Sequence, residues 1–191
     1  ATLLAGNWLF FTIAGFAQVI LMFVWGAIAF RLELGTLNRL TGLAVMSAAT
    51  AAAAAAFGIL LGTLCRTRSQ LTGISTMVIL IMSALGGSMV PKFVVPKFIE
   101  TTSRYTFNGW ALDGYLKVFW YDDPAAGLAQ SLASLLPQLA VLAGMTIVFL
   151  LAARQFARDL MRLPIAVEEE CGLMRALAAM SKHEIQDLPV V

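Results

Sequence analysis

Apolar residues run almost unbroken along this chain, and the positions of the charges show where the runs stop. No Asp, Glu, Lys or Arg occurs from Ala1 to Phe30, from Leu40 to Cys65, from Ser69 to Pro91 or from Pro124 to Ala153. Each interval is long enough for the roughly 20 apolar residues that cross a hydrocarbon core about 30 Å thick. A charge at the centre of such a helix costs about 3 kcal/mol, so gaps of this length are what membrane spans require. The pattern predicts an all-α integral membrane protein with four transmembrane helices, at about residues 8–30, 42–64, 71–90 and 132–153. Trp8 and Phe30 stand where interfacial aromatics are expected. Gly86-Gly87-Ser88 weakens the last turn of the third span, and Pro137 falls in the first turns of the fourth, where proline is better tolerated than at mid-span.

Residues 91–123 fit no span. They mix Lys92, Lys97, Glu100, Arg104, Asp113, Lys117, Asp122 and Asp123 with nine aromatic side chains, a composition that suits an interfacial or re-entrant segment. Two short helices are expected in it. One begins near Pro96, since proline is favoured at a first helical position, and one near Asn108, a good N-cap residue. In the second, Phe107, Trp110, Ala111, Gly114 and Val118 share one apolar face. Asp122-Asp123-Pro124 follows as a turn. Asp113 reads first as a solvated charge, or else as an i,i+4 partner of Lys117. The domain division expected is a membrane region over residues 1–160 and a tail over 161–191. The tail reads as a surface amphipathic helix or a loose end, or more sharply as a docking segment; Ser181 to Glu184 matches a capping box there.

Composition agrees. The 191 residues are 60% hydrophobic and 13% charged, with a net charge of +2, which excludes an ordinary soluble domain, a disordered chain and a nucleic-acid-binding footprint. Four spans put residues 65–70 and the tail on one side. Arg66, Arg68, Arg154, Arg158 and Arg162 crowd the span ends there, so that side is expected to be cytoplasmic and the membrane to be the inner, or plasma, membrane.

Little chemistry is visible. No phosphate-cradling G-x-x-x-x-G-K-[ST] pattern exists. The one histidine, His183, lies in the tail, so no histidine-based triad or metal site can form within the spans. Cys65 and Cys171 read as free thiols on the reducing side. The spans hold no ionisable residue of the kind that ion-coupled carriers use. Their polar residues are mild: Thr12, Gln18, Ser47, Thr50, Ser75, Thr76, Ser83, Gln138 and Thr146. They read as interhelical hydrogen-bonding groups, with Gln18, near mid-span, the best candidate for a substrate path. The second span carries an alanine run from Ala48 to Ala56, broken by Thr50, and then a G-x-x-x-G spacing. Ala51, Ala55, Gly58 and Gly62 are its expected close-packing positions, which would place this helix inside the bundle.

The stretch Leu85–Tyr115 resembles the permease subunits of ABC-2-type transporters. A span ending in Gly and Ser, then Pro91, then Pro96, the Asn108-Gly109-Trp110 turn and Asp113-Gly114-Tyr115 match that family's pattern. The basic hairpin at Cys65–Gln70 is similar to its cytoplasmic turn. The likeness covers about residues 3–160. It departs from the family in having four spans where six are usual, in lacking a proline near Thr106-Phe107, and in its tail. The resemblance implies the C-terminal part of a permease core beginning within a longer protein. It also implies an extracytoplasmic re-entrant segment with Pro91, Pro96, Asn108, Gly109, Trp110 and Asp113 at a translocation path or gate. The partners implied are a second permease subunit, identical or not, and a separate ABC ATPase that binds the ATP. This chain itself is then not an enzyme and carries no cofactor or metal. The rival readings are a non-transporting membrane anchor or assembly subunit that docks a partner through its tail, a membrane-embedded enzyme, for which no paired catalytic groups are found, and a truncated gene product.

Overall fold

The structure, a computed structural model, describes residues 2–31, 37–65, 67–87, 101–120 and 127–161. Five helices are described: α1 (Thr2–Phe30), α2 (Leu37–Leu64), α3 (Arg68–Leu85), α4 (Phe107–Phe119) and α5 (Leu128–Met161). No strand occurs among the described residues. Four of the helices, α1, α2, α3 and α5, are long and apolar enough to cross a membrane. The all-α membrane class read from the charge gaps therefore holds. The helices outrun the charge-free intervals: α5 has 34 residues, about 51 Å at 1.5 Å per residue. Pro137 consequently lies ten residues into α5, not in its first turns as the shorter span implied.

The helix ends follow from local chemistry. Thr67 caps α3, its side chain accepting from the Gln70 N–H at 3.1 Å. Gly86 closes that helix through a bond from its N–H to the Met82 carbonyl, and Gly87 follows with φ 81°, a left-handed conformation that glycine adopts without penalty. The glycine pair that weakened the third span on paper is thus its stop. Arg31, with φ 51°, ends α1 in the same left-handed region without the benefit of being glycine.

The core lies where α2, α4 and α5 meet. Leu43, Met46 and Ala53 of α2, Val118 of α4, and Leu135 and Leu142 of α5 form one buried cluster. On α5 the buried positions Leu135, Gln138, Leu142, Thr146 and Ala153 recur at helical spacing and make a single inward stripe. The alanine run performs as expected: Ala51, Ala53 and Ala56 are buried, and the position of a Cβ on Gly15 of α1 lies 3.5 Å from the Ala51 Cβ. Ala55 is half-buried. Gly58 and Gly62 depart from the expectation. Both are exposed, and an added Cβ on either would meet no atom within 4 Å. The turn of α2 that carries them has moved past the face covered by α1 and α5.

Three sets of contacts fix the topology. Gly42 of α2 sits beside Leu135 of α5, and Phe57 beside Phe149 with ring centroids 5.3 Å apart. Equal steps in the same sense mean that α2 and α5 run parallel. Against α2, Val118 packs on Gly42, Gly114 on Met46 and Phe107 on Phe57. The sense is reversed, so α4 runs antiparallel to both. With α3 making the return crossing from α2, the chain between α3 and α5 must enter and leave on the same side.

Candidate functional site

Helix α4 is the element that the topology singles out. Its C-terminal end lies level with the start of α2 and α5, and its N-terminal end lies well inside the charge-free part of α2, beside Phe57. This is the re-entrant arrangement expected of residues 91–123, seen here for residues 101–120. The first of the two short helices expected there is described only at residues 101–103, so its start at Pro96, together with Pro91 and the Asp122-Asp123-Pro124 turn, lies outside the described residues.

The inner tip of the re-entrant segment is a tight turn. The N–H groups of Arg104, Tyr105 and Thr106 donate to the carbonyls of Thr101, Thr102 and Ser103, three residues back in each case. Thr106 then caps α4: its hydroxyl donates to the Ser103 carbonyl at 2.9 Å and accepts from the Gly109 N–H at 3.2 Å. Both Ser103 and Thr106 are buried, so these bonds satisfy polar groups that water cannot reach. The sequence pointed to Asn108 as the cap, and the structure corrects this. A hydroxyl at Thr106 stands three residues before the Gly109 N–H, the spacing that N-capping needs, which leaves Asn108 inside the first turn.

Gly109 has a steric duty. A Cβ there would overlap the Ser103 carbonyl oxygen and stand 2.9 Å from its carbon, and backbone atoms cannot move aside. Gly86 plays the matching part on α3, where a Cβ would lie 2.8 Å from the Asn108 Cβ. Trp110 folds back over the turn, its indole N–H donating to the Arg104 carbonyl at 2.7 Å. Asn108, Gly109 and Trp110 are therefore brought together around the tip, as a helical first turn and not as the free turn expected. Asp113 stands half-buried at the middle of α4. Gln18 is exposed on α1 and is not part of this cluster.

Sequence reasoning missed several contacts that hold α4 in place. The Tyr115 hydroxyl and Ser47 Oγ lie 3.3 Å apart. Phe23 of α1 packs against Tyr115 at 5.4 Å and stacks on Phe119 at 5.5 Å. Lys117 Nζ donates to the Ser134 carbonyl at 2.9 Å and to Gln138 Oε1 at 3.4 Å. This ammonium thus bonds to α5 next to Pro137, where the missing N–H interrupts the helical ladder. Signals for these contacts were present only as generic aromatics and hydroxyls. The expectation of interhelical bonding for the mild polar residues holds for Ser47 and Gln138. Thr12, Ser75, Thr76 and Thr146 bond instead to carbonyls of their own helices, three or four residues back, a common resolution for hydroxyls in helices. Thr50 Oγ1 is buried with no hydrogen-bond partner among the described residues, and nothing in the structure explains it.

Two cavities adjoin α4. One, of about 510 Å³, lies between α2, α3 and the α4 tip, with Phe57, Gly58, Met82, Phe107 and Asn108 on its walls. The other, of about 640 Å³, lies between α1, α2 and the outer half of α4. Cys65, at the end of α2, is a free thiol.

A re-entrant helix wedged between two parallel spans has a counterpart in family comparison. The family model described as "ABC-2 family transporter protein" matches residues 1–154. No characterised protein and no solved structure shows a significant match. The matched region takes in all four spans and the whole of α4, and the chain belongs to the ABC-2 family of membrane transport proteins.

Proposed function

We propose that this chain is the permease subunit of an ATP-driven exporter and forms half of its translocation pathway, with α4 as the gate. The observation that carries this reading is the antiparallel seating of α4 between the parallel helices α2 and α5. It places a tightly capped tip, Ser103 to Trp110, at the depth where a path between two subunits would be closed. A second permease subunit, identical or not, supplies the other half. A separate ABC ATPase supplies the energy, which accords with spans free of ionisable groups.

The orientation proposed is cytoplasmic for the ends of α2 and α5, in the inner, or plasma, membrane. Arg68 at the start of α3, and Arg154 and Arg158 on α5, fall at the same end of the bundle, the distribution expected for a cytoplasmic face. The α4 tip then opens from the opposite side, and the tail beyond Met161 is cytoplasmic.

Export by wild type, Trp110→Ala and Lys97→Ala at matched membrane expression tests the gate. Trp110→Ala is expected to impair export more than Lys97→Ala, because it removes the indole that closes the tip turn. Full export by both variants would remove the gating role. Co-purification tests the partnership: recovery of a nucleotide-binding ATPase with the tagged chain supports it, and recovery only of a soluble protein through the tail supports an anchoring subunit.

A further inference from the structure

The 640 Å³ cavity is an open-sided groove with a definite polarity. Val19 and Phe23 of α1 and Leu116 of α4 line its apolar length. Arg39 and Trp120 stand at one end, and Thr50 at the other. Arg39 is the third residue of α2, and Trp120 caps the C-terminal end of α4. Because α4 runs antiparallel to α2, both belong to the same membrane face. Trp120 is 79% exposed, as an interfacial aromatic should be. From Arg39 to Thr50 along α2 is about 16 Å at 1.5 Å per residue, close to half of a hydrocarbon core about 30 Å thick. The groove therefore has the depth of one leaflet, apolar for its length and cationic at its mouth.

We infer that this groove holds one acyl chain of an anionic phospholipid from the surrounding bilayer, with the lipid phosphate at Arg39. Three observations carry the assignment. The wall formed by α1 faces outward, with no buried residue in its most apolar stretch, so the groove opens towards lipid. Its lining is hydrocarbon and aromatic, which a chain fills at no cost in polar desolvation. Its one cation lies at headgroup depth, and a planar guanidinium forms paired hydrogen bonds with phosphate oxygens. A zwitterionic lipid offers the same phosphate beside a compensating ammonium, so the site discriminates by net headgroup charge. The inference needs only that the chain spans a membrane. It stands apart from transport, and its failure would leave the proposed function untouched.

Quenching of Trp120 by brominated lipid tests it. The full chain is reconstituted in phosphatidylcholine vesicles containing increasing fractions of dibrominated phosphatidylglycerol or dibrominated phosphatidylcholine. Subtracting the signal of a Trp120→Phe variant isolates Trp120. The brominated glycerol lipid is expected to reach half-quenching at a mole fraction about five-fold lower, the preference one basic residue confers at a membrane surface. Arg39→Gln should abolish that preference and Arg39→Lys should keep most of it. Equal quenching by the two lipids, or a preference that survives Arg39→Gln, overturns the assignment. If Arg39→Gln does not fold, wild type decides alone: the preference must shrink as salt is raised from low to molar ionic strength, and a salt-independent preference overturns it.

Discussion

The wholly buried Met46 side chain of α2 fills the space where a Cβ on Gly114 of α4 would stand. The two helices meet at this point because one residue has no side chain and the other has a flexible one. Gly42 repeats the arrangement one turn away, where a Cβ would lie 3.1 Å from a Val118 methyl. Close approach of backbones replaces the hydrophobic driving force that lipid does not provide.

Gly114→Ala is expected to destabilise the fold by about 1–2 kcal/mol. Overpacking of a filled core costs about 1–3 kcal/mol, and the gain in helix propensity offsets up to about 1 kcal/mol. In a Met46→Ala background the clash is gone, and the same substitution should become neutral or stabilising. Thermal unfolding in detergent of the four chains of this cycle measures the coupling, and additivity of the two changes would contradict the contact.

Gly109 and Gly58 should respond to alanine in opposite directions. At Gly109 the new Cβ meets the Ser103 carbonyl, which is backbone and cannot yield, so a loss of about 3 kcal/mol is expected. At Gly58 it meets nothing within 4 Å, so the isolated chain should gain up to about 1 kcal/mol of helix propensity. Thermal midpoints of the two variants, measured side by side, check both signs.

Thr106→Ala removes the hydroxyl that bonds to both Ser103 and Gly109. A lost N-cap costs about 1 kcal/mol, and burial of the freed Gly109 N–H adds to it. Thr106→Ser keeps the oxygen and should stay close to wild type. Hydrogen exchange of the Gly109 amide is the direct readout, with faster exchange expected in the alanine variant only.

Lys117→Met should loosen α4 from α5. It keeps most of the side-chain length while deleting the bonds to the Ser134 carbonyl and to Gln138, and it leaves a buried amide without that donor. A loss of about 1.5–3 kcal/mol is expected for bonds made by a charged group. Lys117→Arg should retain much of it. Crosslinking between cysteines placed at exposed positions of α4 and α5 reports the separation. An unchanged crosslinking rate in the methionine variant would refute the pinning role.

The sequence by itself determined the class of the protein and the number of spans. Excluding charge from hydrocarbon is so strong a constraint that four gaps in the charge map locate four helices to within a few residues. It also marked residues 91–123 as non-spanning, because aromatics and charges at that density suit an interface. Local stops such as Gly86-Gly87 were legible for the same reason: one residue's chemistry decides them. The cap of α4 was only half legible, since Asn108 and Thr106 both qualify and the choice depends on where the Ser103 carbonyl lies. Only the tertiary structure decided which faces meet. Hydrophobicity carries no directional information inside a membrane, where lipid and protein interior are alike, so nothing in the pattern distinguished the buried Ala51 from the exposed Gly58. The parallel course of α2 and α5, the reversed seating of α4 between them, and the reach of Lys117 to Gln138 depend on shape and hydrogen-bond partners distant in the chain, and these exist only once the helices are packed.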